Sequence, residues 1–316
     1  MFKKSILILF ILISFNTKAD ENRISVLFLG DMMFDRGVGT QANKKGFEYV
    51  FGQSTTTIQK HDLTIANLEG PVTSFKSKTI LSSGKAIPGF QFTFATSTAK
   101  ALNTAGIDIV SLANNHTINF GQIGLDQTRQ NLINNNIKYF GSPINNPDLT
   151  ATSTCVRGIC VGIIGWHEFG YKNDEFIYSK IKEMRSSVDY LIVFPHWGIE
   201  YESKPNKKQI KLAHSWIDAG ADVVVGTHPH VVQTVEKYKD KYIFYSLGNF
   251  IFDQYFSFDT THGIGVSAKI SKDKVDYKII PFSSVGSRVN VLSESETGKI
   301  FNNLVKISGD FVKGMY

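Results

Sequence analysis

The chain has 316 residues, 42% of them apolar, with 34 basic and 28 acidic side chains and a formal net charge of +6. That is enough apolar chain for one large or two small folded units. The basic residues are scattered among acids rather than gathered into a stripe, so no nucleic-acid partner is expected.

Residues 1–19 read as an export signal: Lys3 and Lys4 form a basic start, residues 5–15 an apolar core, and Thr17-Lys18-Ala19 a cleavage site. An uncleaved anchor is the alternative, although the apolar run is shorter than the roughly 18–20 residues that cross a bilayer. No cysteine closes the run, which argues against a lipoprotein. The expected location is periplasmic or cell-surface, with membrane association if the leader is retained. Residues 20–316 are expected to form one domain, because no Pro/Ser/Gly-rich linker or charge block divides them.

Apolar runs of strand character then repeatedly stop at a residue able to bind a metal or move a proton. Residues 24–29 end at Gly30-Asp31, and residues 63–68 end at Glu69 before Gly70-Pro71. Residues 107–113 end at Asn114-Asn115-His116, and residues 190–194 at Pro195-His196-Trp197-Gly198. Residues 223–225 end at Gly226-Thr227-His228-Pro229-His230. Helical stretches at 97–104, 125–134 and 209–219 lie between these strands, an alternation that implies βαβ units and a mainly parallel or mixed sheet. Ligands gather beyond the carboxyl ends of strands in such sheets, so the five polar endings are predicted to meet at one edge.

Two shorter features punctuate this pattern. Ala105-Gly106-Ile107-Asp108-Ile109-Val110 is echoed by Ala219-Gly220-Ala221-Asp222-Val223-Val224, each reading as helix end, Gly cap and strand. Cys155 and Cys160 flank a turn-like Val-Arg-Gly, so a hairpin disulfide is predicted, with two reduced thiols in adjacent strands as the alternative. Past residue 240 the helices thin out: 242–247, 263–270 and 275–280 read as strands and 297–305 as a short helix. The 263–270 run alternates like a half-exposed antiparallel strand.

Carboxylate, amide oxygen and neutral imidazole together suit a hard or borderline divalent cation, and Asp31, Glu69, Asn115, His196, His228 and His230 supply that mixture. The count fits either two metals sharing a carboxylate or one metal with an open position; Mn²⁺, Zn²⁺ and Fe²⁺ are the candidates. His116, beside an amide ligand, is free to donate a proton. Arg36 could receive an anionic substrate group or sit in a structural ion pair. Asn249, in Ser246-Leu247-Gly248-Asn249-Phe250, could orient substrate. His167 is a candidate pocket liner; His61, His214 and His262 receive no role. No nucleophile elbow, P-loop or dinucleotide fingerprint occurs.

Taken in order, Phe28-Leu29-Gly30-Asp31, Ala66-Asn67-Leu68-Glu69-Gly70-Pro71, Ala113-Asn114-Asn115-His116, Pro195-His196-Trp197-Gly198 with Glu200-Tyr201, Gly226-Thr227-His228-Pro229-His230 with Gln233, and Tyr245-Ser246-Leu247-Gly248-Asn249-Phe250 resemble the CapA family of capsule-synthesis proteins, associated with poly-γ-glutamate. The resemblance runs from about residue 24 to 281. It implies a calcineurin-like metallophosphoesterase fold, a four-layer α/β/β/α sandwich with a two-metal site. By the same resemblance, Asp31, Glu69 and His230 surround one metal, Glu69, Asn115, His196 and His228 the other, and His116 is the general acid. The chain departs from the phosphoesterase pattern at Met33, where Asp-x-His is usual, and at Glu69, where the bridging residue is usually Asp. The function implied is capsule or poly-γ-glutamate biosynthesis, either by metal-dependent hydrolysis of a phosphoester or γ-linked polyanion, or as a non-catalytic polymer-binding or synthase-assembly factor. An anionic polymer or phosphoester substrate and a membrane capsule-synthase complex are the partners expected.

Overall fold

The computed structural model describes residues 23–80, 86–144, 149–170 and 175–316, with side chains of 80 and 86–90 left aside. The predicted export signal at residues 1–19 therefore lies outside the described residues. Among the described residues no helix is long and apolar enough to cross a membrane.

The chain builds one sheet, leaves it for a second, and returns. The first stretch lays down β1 (Ile24–Met32), α1 (Arg36–Lys45), α2 (Phe47–Phe51), α3 (Ser54–Ile58), β2 (Leu63–Leu68), the hairpin β3 (Lys78–Ile80) and β4 (Ala86–Gln91), α4 (Ser97–Ala105), β5 (Ile109–Ser111), α5 (Gly121–Asn134) and β6 (Lys138–Phe140). The second stretch gives β7 (Ala151–Val156), β8 (Ile159–His167), α6 (Glu175–Arg185), β9 (Tyr190–His196), α7 (Lys207–Ala219), β10 (Val223–Val225), β11 (Val235–Tyr238) and β12 (Lys241–Phe244). The chain then rejoins the first sheet with β13 (Asn249–Ile251), α8 (Phe258–Thr261), β14 (His262–Ile270), β15 (Val275–Val285) and β16 (Arg288–Val291), before α9 (Glu294–Ser308). The first sheet runs β16-β15-β14-β1-β2-β5-β6 with β13 also on β1, and the second β11-β12-β10-β9-β8-β7.

Strand periodicity sorts the side chains into layers. In β1, Val26 and Phe28 face the space between the sheets while Leu27 and Leu29 face α1, α4 and their neighbours. In β9, Ile192 and Phe194 face the same inter-sheet core while Leu191 and Val193 pack with α6 and α7. Three apolar cores result, one between the sheets and one beneath each helical layer, which is the four-layer α/β/β/α sandwich. The near-continuous apolar runs follow directly, since each central strand is buried on both faces.

The short sequence echo has a common structural job. Asp108 accepts the backbone N–H of Thr64 at 2.7 Å, and Asp222 that of Leu191 at 2.9 Å. Asp62 does the same for Ser25 at 2.8 Å, and Asp189 for Cys160 at 2.7 Å. Four times, an Asp just before one parallel strand satisfies the amide of the second residue of its neighbour.

The predicted helices and strands are present with shifted ends: α5 begins a turn early at Gly121, α9 runs from 294 to 308, and β1 continues past Gly30 through Met32. The half-exposed reading of β14 is overturned. It is antiparallel to β1 and β15 but buried on both faces, because it lies between them under two layers. Its small residues mark close packing, not solvent: a Cβ on Gly265 would fall 2.7 Å from the Phe282 ring. Cys155 and Cys160 pair directly across the β7–β8 hairpin and are disulfide-bonded.

Candidate metal centre

The carboxyl ends of β1, β2, β5, β9 and β10 meet over the mouth of the inter-sheet core, and the polar endings predicted to converge do so. Asp31 is fully buried within β1. Its Oδ1 accepts Asn67 Nδ2 at 2.8 Å and its Oδ2 accepts the His228 backbone N–H at 3.1 Å. Imidazole nitrogens of His230 and His196 stand 3.3 and 3.8 Å from the same carboxylate. Glu69, at the end of β2, lies 3.6 Å from His230 Nε2 and 4.0 Å from His116 Nε2. His196 Nε2 is 2.9 Å from Asn115 Oδ1. Thus Asp31, Glu69, Asn115, His116, His196, His228 and His230 form one cluster.

Buried amides hold this cluster in place. Asn67 bonds Asp31 on one side and, through Oδ1, accepts Asn114 Nδ2 at 3.0 Å on the other. Asn114 Oδ1 in turn accepts the backbone N–H groups of His116 and Thr117 at 3.1 and 2.9 Å, which shapes the loop that presents Asn115 and His116. Close approach at the back is permitted by Gly30, where a Cβ would collide with Gly248 O. His228 and His230 adopt φ of 98° and 58°. Left-handed conformations cost non-glycine residues about 1–3 kcal/mol and cluster at functional sites.

The electrostatics ask for a cation. Burial, joined by Asp31 and Glu200, pushes the Glu69 carboxyl well above the usual range against the pull of His230. Burial disfavours a charged His230, yet Glu69 and Asp31 hold its pKa up at about 9. Burial lowers His228 to about 3 and His116 to about 4. The buried Glu69–His230 pair thus holds on to a proton while His116, His196 and His228 favour the neutral form. A divalent ion would supply two charges and release that proton.

Orphaned atoms make the same point. Glu69 Oε2 and His228 Nδ1 are buried with no hydrogen-bond partner among the described residues. Buried polar atoms in proteins are normally paired, so two at one spot fit coordination by an ion. Ligand atoms of Asp31, Glu69 and His196 lie within 4.8 Å of one another, as do those of Glu200, His228 and His230. The residues present therefore fit a divalent metal.

Other predicted residues stand differently. Asn249 is held by three hydrogen bonds: Oδ1 accepts His230 Nδ1 at 2.9 Å, and Nδ2 donates to Gln254 Oε1 and Thr260 O at 3.0 and 2.9 Å. Its amide is engaged in orienting His230. Arg36 is ion-paired with Asp253, the structural alternative its sequence allowed, with its guanidinium over Phe92 and Phe252. Met33 is buried in the helix-side core and its sulfur accepts the Asp35 N–H at 3.1 Å. His167 lies beside His196 in the adjacent strand, with Nε2 3.4 Å from Pro143 O. His61, His214 and His262 bond or stack elsewhere. Glu200 and Asn67 received no role from sequence, although both stand inside the motifs quoted; a count of polar residues at strand ends was the one signal available for them.

Comparison with known proteins agrees with this geometry. The profile of the bacterial capsule synthesis protein family PGA_cap matches residues 25–254. The chain belongs to that family. It is 31% identical over 254 residues to the capsule biosynthesis protein CapA of Bacillus anthracis, covering 74% of this chain and 61% of the relative. It is 30% identical over 247 residues to the PGA biosynthesis protein CapA of Bacillus subtilis, covering 73% and 64%. The chain thus spans about three fifths of the length of these relatives. A probable polyglutamine synthesis accessory protein of Mycobacterium tuberculosis is 23% identical over 255 residues, 67% of this chain and 64% of that one. Among solved structures, a phosphatase from Mycoplasma pneumoniae aligns at TM-score 0.51 and 14% identity, over 90% of this chain and 99% of that one. The NAD nucleotidase of Haemophilus influenzae aligns at TM-score 0.51 and 13% identity, over 91% and 63%. The chain thus shares the metallophosphoesterase-type fold of these solved structures.

Proposed function

We propose that this capsule-family protein is exported and uses a divalent-metal centre to cleave a phosphoester or a γ-linked anionic polymer during capsule or poly-γ-glutamate biosynthesis. The observation that carries the reading is the burial of Asp31 and Glu69 among four imidazoles, with Glu69 Oε2 and His228 Nδ1 left unpaired. Asp31, Glu69 and His230 would hold one ion, and Glu69, Asn115, His196 and His228 a second. A bound ion supplies Lewis-acid stabilisation of charge on the substrate and lowers the pKa of water.

The protein's own residues do the rest. The amides of Asn67, Asn114 and Asn249 keep the ligands in register before substrate arrives. Asn119 Nδ2 donates to His116 Nδ1 at 3.2 Å, which fixes the remaining proton on Nε2, the nitrogen that faces Glu69. Delivery of a proton from Nε2 to a leaving oxygen requires the imidazolium, and an anionic substrate beside the ring would favour that form by raising its pKa from about 4, leaving the neutral ring behind after transfer. The polymer follows the names of the relatives, and association with a membrane synthase extends the accessory role that one of those names gives.

The test is metal content of the purified chain, followed by turnover of aryl phosphoesters after reloading with Mn²⁺, Zn²⁺ or Fe²⁺. Turnover above a His116→Ala control supports the reading; absence of bound metal and of turnover overturns it. Met33, a buried thioether where the phosphoesterase pattern has an imidazole, favours a second reading, a non-catalytic factor that binds the polymer or the synthase. Capsule assembly that survives His116→Ala but fails on deletion of the gene would select that one. Export is checked by cell fractionation and by the mass of the mature amino terminus.

A further inference from the structure

The metal set carried over from the phosphoesterase pattern is one ligand short, because the place of an imidazole is taken by Met33, whose side chain is spent in the helix-side core. Another donor stands on the opposite wall. After β9 the chain turns through Gly198, at φ 92°, and Tyr201, at φ 67°, so that Glu200 is presented from a tight loop. This loop is pinned to the His228-Pro229-His230 turn by the Tyr201 N–H, which donates to Pro229 O at 2.8 Å. The Trp197 N–H donates to Thr227 O at 3.1 Å and adds a second tie. Ligand atoms of Glu200, His228 and His230 consequently fall within 4.8 Å of one another. His230 also stands 3.6 Å from Glu69 and 3.3 Å from Asp31, so this trio adjoins the other one. The unpaired, buried Nδ1 of His228 belongs to the same trio.

We propose that Glu200 is a metal ligand that takes over, from the second sheet, the coordination lost at Met33. The proposal rests on the metal-centre reading above and deepens it. Exchange of an imidazole for a third carboxylate makes the site more anionic and harder, so it would take Mn²⁺ or Fe²⁺ in preference to a soft, nitrogen-seeking ion.

The experiment is Mn²⁺ titration of the chelator-treated full chain by calorimetry, with electron paramagnetic resonance of the bound ion. Wild type is compared with Glu200→Gln and with Glu202→Gln, an exposed neighbour in the same loop. Glu200 is itself exposed, so its variant is expected to fold, and circular dichroism verifies this. Expected is a loss of about 30-fold or more in at least one Mn²⁺-binding step for Glu200→Gln, within the 10–100-fold range of ligand-shell substitutions, and no change for Glu202→Gln. Glu200→His should restore binding with a shift in preference toward Zn²⁺. Unaltered Mn²⁺ affinity and spectrum in Glu200→Gln would overturn the proposal while leaving the metal centre intact. Absence of Mn²⁺ binding by wild type would overturn the metal-centre reading itself, and this proposal with it.

Discussion

The two ends of the sandwich join the same two sheets by opposite means. At the amino ends of the parallel strands, Asp62 of the first sheet meets Arg157 of the second, whose side chain is 55% exposed, in an ion pair of 2.5 Å. At the carboxyl ends, buried carboxylates from the first sheet meet buried imidazoles from the second, with amides filling the gaps. Charges at the first end are screened by water and contribute little. Charges at the second end have lost water and must be compensated by one another or by a ligand. The difference teaches that the site belongs to the contact between sheets rather than to either sheet.

The largest effect should come from breaking the carboxylate wall. Asp31→Ala removes the acceptor for Asn67 and for the His228 amide, and turnover should fall by about a thousandfold or more, measured with saturating metal. Next comes His116→Ala, which should cost about 10²–10⁴-fold in turnover while leaving Mn²⁺ affinity within about threefold, as calorimetry would read. A metal-sensitive contrast follows. Mn²⁺ at about 100 times its Kd should stabilise wild type by about 2.7 kcal/mol against chemical denaturation, an increment that chelator removes and Asp31→Ala abolishes.

At the other end of the molecule the effects should be smaller and blind to metal. Loss of the Cys155–Cys160 bridge closes a short loop no longer, costing about 2 kcal/mol by urea titration with Mn²⁺ binding unchanged. For Asp62, burial opposes the charged form, but Ser25 and Arg157 outweigh it and set its pKa below 3.8. A depressed carboxyl contributes stability above its unfolded pKa and loses it as pH falls through the folded one. The stability gap between wild type and Asp62→Asn should therefore be open at pH 6–7 and close on acidification below about pH 4. A gap that widened in acid would contradict this assignment.

How much of this the sequence disclosed differs by layer. Strands buried on both faces announce themselves as unbroken apolar runs, so β2, β9 and β10 and the polar residues just past them were legible. β14 was not, because Gly263, Gly265 and Ser267 imitate a solvent-facing alternation while they serve close packing against neighbouring strands. Asp31, Glu69 and the histidines were legible as residue types at strand ends. The tie from Asn249 to His230 was not legible, since which way that amide points depends on Thr260 and Gln254. Glu200 escaped because an exposed Glu in a loop is ordinary until the Pro229 contact places it beside two imidazoles.

The chain's return to its first sheet sets an order of assembly. Ile24 pairs with Ile270, and Asp31 donates its amide proton to Gly248 O, so the earliest strand waits for some of the latest to acquire its neighbours. Contacts so remote in sequence slow folding, because loop closure must precede them. A partly threaded polypeptide consequently owns both imidazoles of the H-x-H turn before Asn249 is there to aim His230.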